Sequence, residues 1–238
     1  MSPIRNAMAL AAGLGTRMRP LTDDRPKALV EVGGKPLLDW ALDRFAAAGV
    51  ERCVVNVHYF ADLMEAHLAA RTAQMPQIVV SDERDSVLET GGGVVKALPE
   101  LGTDPVFISN IDAIWVDDDR PELDRMQAAW DSARMDVLLL LAPMGRTLGF
   151  DGAGDVFLDE GGPVRFRGDA PAAPYAYAGV HILNPAILAG RRAECFSMVE
   201  VWRDLAATGR VHGLVMNSFW MHVGDPGARD EAEARLGG

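Results

Sequence analysis

The sequence predicts an α/β fold of Rossmann-like type, an open, mostly parallel sheet with helices on both faces. Three observations point there. Short apolar or β-branched runs alternate with stretches of helical spacing through the first half of the chain. A glycine-bearing loop, Ala11–Arg19, directly follows the first run, and open sheets of this kind bind ligands beyond the carboxyl ends of their strands. A chain of 238 residues can bury a large core, and 49% hydrophobic with 24% charged residues is ordinary for a globular protein.

Ala7–Leu10 reads as the first strand. From Pro36 to Ala48 the apolar residues Leu38, Ala41, Leu42 and Phe45 fall at helical spacing, and Gly49 ends the helix. Cys53–Val57 is β-branched and reads as a buried strand, Ala61–Ala70 as a helix, Ile78–Val80 as a third strand and Val106–Ser109 as a fourth. Pro121 opens a helix that continues to about Arg134, and Val137–Leu141 is a further buried strand. Between Gly145 and Pro174 glycine and proline are frequent, which predicts hairpins. Tyr175–Leu183 resumes as a strand, followed by a helix over Ser197–Thr208, a strand over Val211–Met216 and a closing helix over Pro226–Leu236. The Ala11–Arg19 loop and the Asn110–Asp112 turn both follow strands, so both are expected at one edge of the sheet.

The first of these loops carries the chemistry. Leu10, Ala11 and Ala12 lead into Gly13-Leu14-Gly15-Thr16-Arg17-Met18-Arg19-Pro20-Leu21-Thr22, with Pro26-Lys27 close behind. Two glycines let the backbone turn tightly and approach a bound group. Free N–H groups in such a turn make a concavity suited to phosphate. Thr16 adds a hydroxyl, and Arg17, Arg19 and Lys27 add positive charge. The commoner phosphate motifs do not fit. Gly34-Lys35 is followed by Pro36, where a P-loop needs Ser or Thr, and Met18 stands where a dinucleotide fingerprint needs its third glycine.

The run from Gly13 to Lys27 resembles the signature of the sugar-1-phosphate nucleotidyltransferases. Four later segments resemble the same family in its order. They are Glu89-Thr90-Gly91-Gly92-Gly93, Asn110-Ile111-Asp112, Tyr177-Ala178-Gly179-Val180-His181 and Trp220-Met221-His222-Val223-Gly224. The resemblance covers nearly the whole chain. It implies a fold of the nucleotide-diphospho-sugar transferase type in a single domain over residues 1–238, with a nucleotide half of about 1–140 and a sugar-binding half of about 141–238. The hairpin-rich stretch would cap the sugar side. The family's common C-terminal hexapeptide-repeat domain is not expected. The short length and the Glu-Thr-Gly-Gly-Gly form most resemble members that take UTP and N-acetylmuramate 1-phosphate in peptidoglycan recycling.

The resemblance also implies roles. Leu10, Ala12, Gly13, Gly15 and Thr16 would cradle the triphosphate. Arg17 would hold the departing phosphates and Lys27 the phosphate under attack, both as catalytic groups. Glu89, Thr90, Gly91 and Gly92 would read the base, and Asn110 would touch the ribose or the sugar. Asn110, Glu160 and Gly179 are the candidate sugar contacts. Relatives place a second lysine on the sugar phosphate, but no lysine follows Lys96; Arg146, Arg165 and Arg167 are substitutes to consider. Asp112 would ligate Mg²⁺, with Mn²⁺ as an alternative. Two departures stand out. Ile111 replaces the family's glycine, and His222 replaces its second metal-binding aspartate. Imidazole is a poorer Mg²⁺ ligand than carboxylate. Three arrangements follow: His222 ligates, Asp225 reaches in from the next turn, or Asp112 holds the metal with phosphate and water alone. Direct ligation by His222 is the expectation.

Composition bounds the partners. The formal net charge is −11, so no basic field attracts nucleic acid. Lys27, Lys35 and Lys96 are the only lysines. Cys53 and Cys195 have no metal or redox spacing. No basic leader precedes an apolar segment, and no run of about 18 apolar residues suggests a membrane span. A cytoplasmic monomer or homodimer is expected. Asp117-Asp118-Asp119 reads as a solvated acidic turn, and His58, His67, His181 and His212 as structural. The expected reaction joins UTP to a sugar 1-phosphate and releases pyrophosphate. The alternatives are another sugar 1-phosphate or phosphocholine with dTTP, CTP or GTP, or a nucleotide sensor without catalysis.

Overall fold

The computed structural model describes residues 3–160 and 162–237. Its nine-stranded sheet is mixed and mostly parallel on the nucleotide-loop side. There β1 (Asn6–Leu10) lies in the middle. Elements β2 (Glu31–Val32) and β3 (Lys35–Pro36) form a short hairpin leading into α1 (Leu37–Ala47). Then β4 (Arg52–Val57), α2 (Ala61–Ala70) and β5 (Gln77–Asp82) follow. Next come α3 (Glu89–Leu101) and β6 (Val106–Asn110). Strands β5, β4, β1 and β6 are all parallel neighbours in that order.

Beyond β6 the chain adds β7 (Ala113–Trp115), α4 (Glu122–Ala129), β8 (Val137–Pro143), β9 (Thr147–Leu148), β10 (Val156–Leu158) and β11 (Val164–Phe166). The long β12 (Tyr175–Leu183) runs antiparallel to both β6 and β8. It joins the two halves of the sheet and shifts register between Tyr177 and His181. After α5 (Met198–Ala206), β13 (Val211–Val215) lies parallel to β8. Finally β14 (Trp220–His222) pairs with β7 and β9 in a separate three-stranded sheet, and α6 (Pro226–Leu236) closes the described chain.

The elements follow from local chemistry. Alternate residues of β1 serve opposite faces, as strand geometry requires. Ala7 and Ala9 join the core under α1 and α2, while Met8 joins the core under α3 and α5. Ser197 caps α5 by accepting the Val199 N–H, and Asp225 caps α6 by accepting the Ala228 N–H at 3.0 Å.

Most expected elements are present within a residue or two. One correction stands out. The helix expected to continue to Arg134 ends at Ala129, because Trp130 turns into extended backbone and buries its ring, and Asp131 accepts the Ala133 N–H. The Glu89–Gly93 segment opens a helix of 13 residues. Three successive glycines disfavour a helix, so tertiary packing supplies what local propensity withholds. No helix among the described residues is long and apolar enough to cross a membrane.

Candidate active site

Parallel strands end at one edge, and that geometry assembles the site. Leu10 and Asn110 are register partners at the ends of adjacent β1 and β6. The loop after β1 and the turn after β6 therefore emerge side by side, with β4 and β5 ending next to them. A cleft of about 480 Å³ opens there. Leu10, Ala12, Gly13, Gly15, Thr16, Arg17, Lys27, Glu89, Thr90, Asn110 and Asp112 all line it.

The loop is held in shape from beneath. Gly15 has φ +62°, and a Cβ there would lie 2.9 Å from the Cβ of Lys27, so only glycine lets the two segments meet. Its carbonyl accepts a hydrogen bond from the buried Thr22 hydroxyl at 2.9 Å. The N–H of Ala11 donates to Asn56 Oδ1 at 2.7 Å, and Asn56 Nδ2 donates to Glu83 Oε1 at 2.9 Å. Glu83 Oε2 is buried with no hydrogen-bond partner. Burial pushes the Glu83 carboxyl up, against the Asn56 amide that favours its charged form. By contrast, the N–H groups of Gly13, Leu14 and Gly15 donate to no protein acceptor among the described residues. Arg17 is exposed and makes no ion pair among them either. Free donors and an unneutralised guanidinium around one concavity favour an anion there.

Charge concentrates where the two loops meet. Lys27 Nζ donates to Asp112 Oδ2 at 2.7 Å, with side chains only 12% and 19% exposed. His222 Nε2 lies 3.5 Å from the same oxygen. Burial opposes the charge on Asp112, but Lys27 and His222 outweigh it and hold the carboxyl well below the usual carboxylate range. Burial also disfavours the His222 imidazolium, yet Asp112 holds its pKa above the ordinary value. His222 Nδ1 contacts the Gly149 carbonyl at 3.0 Å, so that nitrogen carries the proton. In the neutral ring the Nε2 lone pair then faces Asp112, as a ligating histidine oriented by a carbonyl would. Gly224 makes room: a Cβ there would lie 2.7 Å from His222 Cε1.

Other candidates fall elsewhere. Gly91 and Gly92 do not line the cleft. They lie against the 194–196 segment, where Cβ atoms would meet the Phe196 ring at 2.2 Å and the Glu194 carbonyl at 1.9 Å. Thr90 Oγ1 accepts the Met198 N–H at 2.9 Å. Glu160 is exposed between β10 and β11 and does not line the cleft. Gly179 (φ +84°) lies beneath Asn110, whose Cβ would be 3.5 Å from a Cβ at that position. Asp225 is occupied as the cap of α6. Ile111 is buried in the hydrophobic core and also borders the cleft. Arg146 is exposed, Arg165 stacks over Phe157 at 4.4 Å and Arg167 donates to the Gly154 and Ala170 carbonyls. Asp117 accepts from Trp115 Nε1 and the Glu122 N–H, and no group of three or more metal-binding side chains occurs among the described residues.

The sequence reading missed Asn56 and Glu83. The available signal was a polar residue inside the apolar Cys53–Val57 run, which a buried strand carries only when it has partners.

Comparison with known proteins bears on the family and the fold. Residues 7–210 match the family described as MobA-like NTP transferase domain. The N-acetylmuramate alpha-1-phosphate uridylyltransferase of Caulobacter vibrioides is 58% identical over 232 residues, spanning 97% of this chain and 96% of that protein. Its namesake from Neisseria meningitidis serogroup B is 32% identical, spanning 97% and 98%. Among solved structures, the inositol-1-phosphate CTP transferase from T. maritima superposes with a TM-score of 0.77 at 20% identity, over 99% of this chain and 97% of that one, a likeness of fold.

Proposed function

The chain belongs to the MobA-like NTP transferase family and is a nucleotidyltransferase, and we propose that it joins UTP to N-acetylmuramate 1-phosphate, releasing pyrophosphate. The observation that carries the chemistry is the Lys27–Asp112 pair at the meeting of the two loops, in a cleft with unpaired donors. The choice of substrates follows the relatives at 58% and 32% identity, and would put the reaction in peptidoglycan recycling.

A phosphate oxygen of the sugar 1-phosphate attacks the α-phosphorus of UTP. That P–O bond forms as the bond to the α–β bridging oxygen breaks, and pyrophosphate leaves with the electron pair. The chain's task is to position and neutralise charge. The N–H groups of Gly13, Leu14 and Gly15 cradle the triphosphate, with Thr16 beside them. The Arg17 fork holds the leaving β- and γ-phosphates. Lys27 stands at the α-phosphate as a point charge. Glu89 and Thr90 border the base, and Asn110 reaches the ribose or the sugar. Residues of about 1–140 serve the nucleotide and about 141–238 the sugar, within one domain.

A carboxylate and an imidazole lone pair converging 3.5 Å apart fit a divalent cation in donor chemistry. Asp112 and His222 would hold Mg²⁺ or Mn²⁺, which when bound neutralises phosphate charge. A test compares the Mg²⁺ concentration for half-maximal activity in His222→Asp and His222→Asn. Ligation predicts tighter dependence in the first and about tenfold weaker dependence in the second. No change in either variant removes His222 from the ligand set.

The substrate reading is tested by pyrophosphate release with UTP, dTTP, CTP and GTP, crossed with N-acetylmuramate, N-acetylglucosamine, glucose and mannose 1-phosphates. Turnover confined to UTP with N-acetylmuramate 1-phosphate is expected. Preference for another pair refutes the assignment.

A further inference from the structure

A second cavity, of about 260 Å³, lies beside the cleft. Phe166, Tyr177 and Trp202 give it an apolar wall, and two arginines, Arg167 and Arg203, also line it. Tyr177 and Trp202 pack edge to face with ring centroids 4.9 Å apart, which fixes that wall. Asp155 is the one acid among the lining residues, and its Oδ2 already accepts the Tyr177 N–H at 2.8 Å. Arg167 is clamped, with Nε and Nη1 donating to the Gly154 and Ala170 carbonyls, each at 2.9 Å, and Nη2 left over. Arg203 projects from α5, and neither arginine has an ion-pair partner among the described residues. In a chain of net charge −11, two arginines without ion-pair partners on one cavity concentrate positive charge locally and favour an anion there.

The cavity adjoins the cleft along two strands of chain. Tyr177 lines the cavity, and Gly179, two residues along β12, packs beneath Asn110 of the cleft. From the other side Ser197 lines the cleft and Val199 the cavity. Two residues of chain span at most roughly 7 Å, a distance that a sugar ring with a substituent bridges.

We infer that this cavity receives an acidic substituent of the sugar 1-phosphate, with Arg167 and Arg203 binding its carboxylate as specificity-determining residues. The inference rests on N-acetylmuramate 1-phosphate being the substrate, because its lactyl ether carries a carboxylate that N-acetylglucosamine 1-phosphate lacks. The planar fork of arginine matches a carboxylate, and the aromatic wall suits the lactyl methyl group. A site built around such a contact also rejects the analogue without it, since its polar groups are then left unpaired.

The test measures kcat/KM for N-acetylmuramate and N-acetylglucosamine 1-phosphates with UTP, in the wild type and in Arg167→Gln and Arg203→Gln, alongside UTP affinity. Arg203 is exposed, so its variant keeps the fold. Each substitution is expected to lower kcat/KM for the acidic sugar about 10- to 100-fold, mainly through KM. The preference over N-acetylglucosamine 1-phosphate narrows, UTP affinity holds, and Arg203→Lys recovers part of the loss. Equal losses for both sugars, no loss in either variant, or a wild type indifferent to the lactyl group overturns the inference alone. A wild type that ignores N-acetylmuramate 1-phosphate but uses another sugar overturns the substrate reading and the inference with it.

Discussion

At the scale of single residues, Lys27 does two things at once. Its ammonium neutralises the mostly buried Asp112 carboxylate at 2.7 Å, and its stem packs against the one loop position that must be glycine. Lys27→Met is expected to lower kcat by about 10²- to 10³-fold, the range for removing one preorganised charge from a transition state, measured by single-turnover pyrophosphate release. Arg17→Gln is expected to raise the KM for UTP with little change in melting temperature, because Arg17 is exposed and makes no ion pair among the described residues. A large drop in melting temperature would assign Arg17 a structural role instead. Gly15→Ala forces left-handed backbone, at a cost of about 1–2 kcal/mol, and drives the loop off Lys27. Calorimetry should show weaker UTP binding together with lower stability.

At the scale of elements, α3 shows packing overriding propensity. Its glycines buy close approach: Gly92 leaves no room between the helix and the Glu194 carbonyl, and Gly93 meets the Asn56–Glu83 pair, with a Cβ there 3.0 Å from Glu83 Oε1. Gly92→Ala would gain helix propensity yet is expected to destabilise the protein by about 1–3 kcal/mol, the usual cost of overpacking, read from urea unfolding. A more stable variant would mean that the 194–196 segment yields easily. Near the site, Arg44 of α1 plays a comparable part. It donates to the carbonyls of Ala113 and Trp115 and stacks on the Trp115 ring at 3.6 Å, so it ties β7 to α1 immediately after Asp112.

At the scale of the whole molecule, β12 joins the halves of the sheet, and His181 sits at its buried middle. The imidazole is 1% exposed, contacts the Tyr177 hydroxyl at 2.8 Å and leaves Nε2 without a partner. Burial pushes its pKa down to about 3. An unfolded histidine takes up a proton near pH 6.5. Between those values the unfolded chain binds more protons than the folded one, so stability falls as pH drops through the window. The slope from this residue approaches about 1.4 kcal/mol per pH unit. Comparing urea unfolding of the wild type and His181→Gln at pH 7 and pH 5 isolates the contribution. Identical pH slopes in the two proteins would show that His181 does not cause it.

The sequence by itself determined the alternation of strands and helices, the glycine-bearing loop from Gly13 to Lys27, and Asp112 at a strand end, because these are local patterns: periodicity, glycine spacing and charge within a few residues. The boundaries of Ala61–Ala70, Tyr175–Leu183 and Pro226–Leu236 were legible for the same reason. Only the tertiary structure decided that Asn56 and Glu83, from neighbouring strands, brace the loop at Ala11, and that Gly91 and Gly92 serve packing. It alone set Lys27 and His222 on one oxygen of Asp112. Those contacts join residues 27 to 110 positions apart, and no pattern along the chain encodes a distance between segments that meet only when the sheet forms.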